Sequence, residues 1–185
     1  MRGLPPCSIW ANENGKEQQS SPLPGKQQNL EFDFSGFRGV TKDALTAAIV
    51  ATCDKMMNPP ANLKGINGIA KFSKEIKKWD KFDDEKLKRA GTTNFFQLNA
   101  DGGTGGGIFR KMYGRFIIEA APTIGVSALE AIGQDFVVLA DKWDAIAWQM
   151  WKLHESSDTT LPGEMSALII DNHDIEAALL VRLRE

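Results

Sequence analysis

The sequence predicts an all-α protein: a bundle of about six helices with a long C-terminal helical hairpin and a flexible N-terminal segment. Three observations predict it. From Thr41 onward the apolar residues recur every three or four positions, the spacing that lines one face of a helix. Leu129, Ile132, Phe136, Leu139, Trp143, Ile146, Met150 and Leu153 keep an unbroken 3-4 alternation, a heptad register that needs roughly 37 Å of helix at 1.5 Å per residue. Alternating apolar and polar residues occur only around Phe32 and Phe34, which leaves almost nothing from which to build a sheet.

Residues 1–28, with Pro5, Pro6, Pro22 and Pro24 among Gln, Ser and Gly, have linker composition and are expected to be flexible. The helical domain is placed at residues 29–185. Glu31 to Phe37 reads as a short extended segment laying phenylalanine rings on the core. A first helix carries Leu45, Ile49, Cys53 and Met56 inward and stops at Asn58-Pro59-Pro60, because proline disfavours helical geometry in the residue before it. A second carries Ile66, Ile69, Ala70, Phe72, Ile76 and Trp79, with Lys71, Lys74, Lys77 and Lys78 on its wet side. Asp83-Asp84-Glu85 puts acids at the start of a third, where the helix dipole favours them; it runs through Leu87, Ala90 and Leu98. A fourth spans about 107–121 with Ile108, Met112 and Phe116 inward, ended by Pro122.

The fifth is the heptad helix, opened by a Ser127/Glu130 capping box. The last places Met165, Leu168, Asn172, Ile175 and Leu179 on one seam, with Leu161-Pro162-Gly163 in the turn between the two. No internal repeat of fixed period is apparent.

Composition excludes several function classes. The chain has 185 residues, 42% of them hydrophobic, with net charge −2, so it holds one substantial core and has no general pull toward nucleic acid. Two cysteines and two histidines are too few for a disulfide framework or a four-cysteine zinc site. No run of 18 apolar residues suggests a membrane span, and Met1 is followed by no signal-peptide core, so a cytoplasmic location is expected. The net charge hides a gradient: zero over residues 1–60, +5 over 61–125 and −7 over 126–185. Solvated helix faces account for such a gradient, and so does a basic zone meeting an acidic carrier protein or a phosphate-bearing molecule.

The least ordinary stretch is Asp101-Gly102-Gly103-Thr104-Gly105-Gly106-Gly107-Ile108-Phe109-Arg110. It is not a Walker A loop, since no Gly-Lys-Ser/Thr follows, nor a dinucleotide fingerprint, since no strand precedes it. Two readings remain. One is a glycine loop opening a helix, whose free N–H groups and Arg110, Lys111 and Arg115 would hold an anion. The other is a tight turn in which glycine lets two backbones approach.

Elsewhere the residues read as structural. Cys53 lies on an apolar stripe, where it acts as a small hydrophobe and not as a nucleophile; Cys7 lies in the linker. His154 ends the long helix, and His173 sits beside acids. Asn172 reads as a register-fixing amide. Trp143, Trp148 and Trp151 read as core with one outward contact. No catalytic set, metal site or cofactor is predicted.

The string Asn58-Pro59-Pro60-Ala61-Asn62-Leu63-Lys64-Gly65-Ile66-Asn67-Gly68-Ile69, the stretch Phe72 to Trp79, the string Gly103 to Arg110 and Met112-Tyr113 resemble one known family. This is the helical domain of unknown function at the C-terminus of butirosin-biosynthesis-protein-H-like proteins, and the resemblance covers about residues 29–185. It implies an N-terminal domain, similar to papain-like cysteine peptidases, that carries the nucleophile; the founding member of the family moves an acyl group from an acyl carrier protein to an amine of an aminoglycoside. Residues 1–28 do not represent that domain, so no catalytic residue carries over. What carries over is the helical domain's most recognisable surface: Gly103, Thr104, Gly105, Gly106, Gly107, Arg110 and Tyr113, expected to bind a ligand or partner. The partners implied are a cysteine-bearing catalytic domain and an acyl carrier protein. Two other readings stay open: a stand-alone interaction or dimerisation module using an apolar seam of the hairpin, and an enzyme holding a phosphorylated ligand on the glycine loop.

Overall fold

The computed structural model describes residues 35–36, 39–100 and 105–185. Within them lie six α-helices and a 3₁₀ turn, and no strand. They are α1 (Lys42–Met57), α2 (Gly65–Ile76) running into the 3₁₀ turn (Lys77–Lys81), α3 (Asp84–Leu98), α4 (Gly106–Ile124), α5 (Ala128–Ser156) and α6 (Leu161–Arg182). The helices belong to one unit, Gly39–Glu185. Ser35 and Gly36 form a turn, and the rest of the Glu31–Phe37 segment lies outside the described residues, as do residues 1–28 and Cys7.

Local chemistry fixes several helix ends. The Thr41 Oγ1 accepts from Ala44 N at 3.2 Å and Asp83 Oδ1 from Lys86 N at 2.8 Å, each satisfying an N–H that the first turn leaves without a partner. Helix α4 ends at Gly125, whose φ of +79° closes the turn to α5 in a conformation glycine adopts at little steric cost.

Helix α5 is the centre of the fold. All eight of its heptad residues, Leu129 to Leu153, are buried, and α3, α4 and α6 all pack on it. The pairing of α6 with α5 is antiparallel: Arg182 reaches Asp135 at 2.8 Å and Lys142 reaches Asp171 at 3.3 Å. The seam between the two helices is therefore buried inside the chain, while Val138, Trp148, Leu168, Ile170 and Val181 stand exposed on them. Helix α2 crosses α6 through a buried serine pair. Ser73 Oγ donates to the Ser166 carbonyl at 3.0 Å, and Ser166 Oγ donates to the Ser73 carbonyl at 2.7 Å.

The contact between α4 and α5 is made by small residues. Gly107, Gly114 and Ala121 recur every seven residues on α4, and Gly133, Ala140 and Ala147 do so on α5; all six are buried. A methyl group at Gly114 would lie 2.5 Å from the Gly133 carbonyl oxygen, and one at Gly107 3.1 Å from that of Ala140. The two backbones thus approach as closely as only glycine permits.

Five expectations need correction. Helix α4 turns Gly107, Gly114, Ile117, Ala120, Ala121 and Ile124 inward; of the three residues expected there, Phe116 packs partly buried against the core, Ile108 is half-buried and Met112 is 57% exposed. Its small residues win the α5 face because close approach buries more of both helices than large side chains held apart. Pro122 does not end α4 but sits in its last turn, where its missing N–H forfeits one hydrogen bond, to the Ile118 carbonyl, and only two helical residues follow. Ser127 has helical φ and ψ and makes no side-chain cap bond, so the capping box does not form. Residues 161–163 belong to α6, with proline in the first turn, where the missing N–H has no partner to lose. On α6 the buried seam runs through Leu161, Met165, Ile169, Asn172, Glu176 and Leu179, leaving Leu168 exposed.

Candidate functional site

Gly103 and Thr104 lie outside the described residues. The remaining five predicted site residues divide in two. Gly105 caps α4 with φ +112°. Gly106 abuts Leu98, where a methyl group would come 3.0 Å from the Leu98 Cα, and Gly107 abuts Ala140. Gly106 and Gly107 thus lie where α4 comes close to α3 and α5, whereas Gly105 supplies the left-handed cap. Arg110 and Tyr113, one turn further on, point away from α5's small-residue stripe into a cleft.

That cleft has a volume of about 350 Å³. Thr52 and Met56 of α1 line one side; Phe109, Arg110 and Tyr113 of α4 line another; Phe136 of α5 with Glu176 and Leu180 of α6 complete it. Arg110 forms its polar floor. Its Nε donates to Glu176 Oε2 at 2.8 Å and its Nη1 to the Gly106 carbonyl at 2.8 Å. The guanidinium also lies 4.6 Å from the centre of the Trp143 ring, a cation–π contact. The side chains of Arg110 and Glu176 are only 18% and 4% exposed. A buried carboxylate of this kind is tolerated only with a hydrogen-bonded partner, so Arg110 is committed to Glu176 and is not a free grip for phosphate. Nη2 has no acceptor among the described residues.

Tyr113 contributes a ring to the wall, stacked on Phe116 and edge-on to Phe136 with centroids 6.1 and 5.2 Å away. Its hydroxyl is buried without a hydrogen bond of good geometry, with Cys53 and Thr52 close enough to bias its ionisation. Burial is the main reason its pKa stands well above the usual phenol range. Cys53 is fully buried, and burial pushes its thiol pKa up as well. Such a thiol is a poor nucleophile.

Glu176 is the residue that sequence reasoning missed, since a glutamate on a C-terminal helix looks like a solvated charge. The signal was its spacing: it follows Asn172 by four residues and Met165 by eleven, on the buried seam. Asn172 is buried as expected, and neither its Nδ2 nor Trp143 Nε1 has a hydrogen-bond partner among the described residues. Trp148 is 58% exposed and Trp151 half-buried. His154 Nδ1 bonds Thr92 Oγ1 at 2.7 Å and His173 Nδ1 bonds Asp174 at 2.7 Å.

A second cleft of about 480 Å³ lies among Ile49, Ile124, Leu129, Ile132 and Leu183 and contains none of the predicted residues. Among the described residues no group of three or more His, Cys, Asp or Glu could hold a metal, and no helix is long and apolar enough to cross a membrane.

The family described as a domain of unknown function, DUF4872, matches residues 16–183. The chain belongs to that family. No curated protein and no solved structure matches it. The DUF4872 match spans all six helices, so the small-residue α4–α5 contact and the Arg110–Glu176 cleft lie within the DUF4872 region.

Proposed function

We propose that this DUF4872 chain is the accessory helical domain of a butirosin-H-like, cysteine-dependent acyl-transfer system, that it performs no catalysis of its own, and that it contacts an acyl carrier protein. The observation that carries the reading is a run of exposed basic residues. Between Lys64 and Arg89 stand nine exposed basic residues against five acidic ones, on α2, the 3₁₀ turn and α3. Exposed lysines at this density speed and orient encounter with an acidic partner and act through salt-sensitive attraction. The candidate groups for chemistry point the same way: Cys53 is buried and Arg110 is held by Glu176.

The experiment is binding of an acyl carrier protein to the full chain, followed by calorimetry at 50 and 300 mM salt. Binding that weakens at least severalfold over this range, and again in Lys71→Glu/Lys74→Glu/Lys78→Glu, supports the reading. Binding that is absent at micromolar concentrations, or indifferent to salt and to the charge reversal, overturns it.

A further inference from the structure

We infer that the cleft between α1, α4 and α6 binds a neutral small molecule made of an apolar, preferably aromatic, body and one carbonyl acceptor of the amide or ester class. The inference concerns a different surface from the lysine-rich one and stands or falls without it.

The size fits: about 350 Å³ is within the usual range of small-molecule sites, roughly 300–1,000 Å³. The walls are apolar and largely aromatic, from Met56, Phe109, Tyr113, Phe136 and Leu180. Phe109 at the rim is 63% exposed, an energetic liability for a free surface and an asset for one that closes on a ring. The floor decides the polarity of the ligand. Arg110 and Glu176 neutralise one another at 2.8 Å. A carboxylate entering the cleft would set a second anion beside Glu176, and an ammonium would set a second cation beside Arg110. Each would leave one buried charge in excess. A neutral acceptor disturbs nothing and meets the one guanidinium nitrogen, Nη2, that has no acceptor among the described residues. The Tyr113 hydroxyl takes no part in this contact, because it is turned into the protein.

The test uses three matched probes, 4-phenylbutanamide, 4-phenylbutanoate and 4-phenylbutylamine, titrated into the full chain and followed by protein chemical-shift changes. The amide is expected to bind and to shift the Arg110, Tyr113 and Leu180 resonances, with both charged probes at least about fivefold weaker. Leu180→Trp should fill the cleft and abolish binding. Phe109→Ala, at a position 63% exposed, should weaken it severalfold. Equal or tighter binding of either charged probe, no binding of the amide, or amide binding indifferent to both Leu180→Trp and Phe109→Ala overturns the inference.

Discussion

Replacing Gly114 by alanine sets two effects of opposite sign against each other. Alanine is the better helix former by about 1 kcal/mol, so at a solvent-facing position the change would stabilise. At Gly114 the new methyl would sit 2.5 Å from the Gly133 carbonyl oxygen and 3.0 Å from the Val137 nitrogen, where ordinary contact begins at 3.4 Å. Both neighbours are backbone atoms, so no side chain can rotate aside and the helices must separate by up to 0.9 Å, the difference between those two oxygen distances. A gap of 0.5–1 Å forfeits roughly a quarter to a half of each dispersion contact across it, and overpacking of a close contact costs about 1–3 kcal/mol. The clash should win, leaving Gly114→Ala less stable than the parent by about 2 kcal/mol, or about 4–8 °C in Tm for a chain of this size. Gly163→Ala on α6 is the control, since no atom lies within 4 Å of its added methyl; it should be neutral or slightly stabilising. Urea denaturation with an unchanged slope measures both. A Gly114→Ala protein as stable as the parent would refute the close backbone crossing of α4 and α5.

Three further outcomes follow from the same packing. Glu176→Leu alone strands Arg110 and Arg110→Met alone strands a buried carboxylate, so each should cost about 3 kcal/mol, with the double variant recovering most of the loss in a double-mutant cycle. Asp83→Ala and Thr41→Ala should each cost about 1 kcal/mol as lost caps, whereas Ser127→Ala should cost under about 0.5 kcal/mol because its hydroxyl caps nothing; equal losses at all three would restore the capping box. Burial raises the pKa of both Cys53 and Tyr113, from ordinary values of 9.0 and 10.0, so the folded state binds their protons more tightly than the unfolded one. Their contribution to stability is whole below about pH 9 and is lost as pH rises beyond it. The urea midpoint should fall steadily above pH 9, and the fall should flatten in Cys53→Ala/Tyr113→Phe.

Large side chains in regular spacing were legible in the sequence, and small ones were not. Every heptad residue of α5 is buried where the 3-4 alternation put it, because each is big enough that leaving it in water costs more than any rearrangement recovers. On α4 the same reasoning failed. It followed volume, through Ile108, Met112 and Phe116, while the helix faces α5 through Gly107, Gly114 and Ala121, whose packing value lies in what they lack. The seven-residue recurrence of glycine and alanine on both helices carried that information without registering as hydrophobic periodicity. The glycine string was singled out as unusual, and two of its glycines, Gly106 and Gly107, lie against other helices while Gly105 caps α4. Arg110 and Tyr113 were placed in the site, but Glu176, 66 residues further along, could be joined to Arg110 only by the fold. The capping box failed because Ser127 continues directly from the Gly125 turn in helical geometry, leaving its hydroxyl with no N–H to accept.

Acyl transfer tests the proposed accessory role of this domain most directly. A butirosin-H-like cysteine domain and an acylated carrier protein are assayed for transfer to an amine acceptor, with and without the full chain at micromolar concentration. The prediction is no transfer by the chain alone, and a rise in rate when it is added that Lys71→Glu/Lys74→Glu/Lys78→Glu abolishes. Transfer by the chain alone, or a rate that its addition leaves unchanged, would contradict the account.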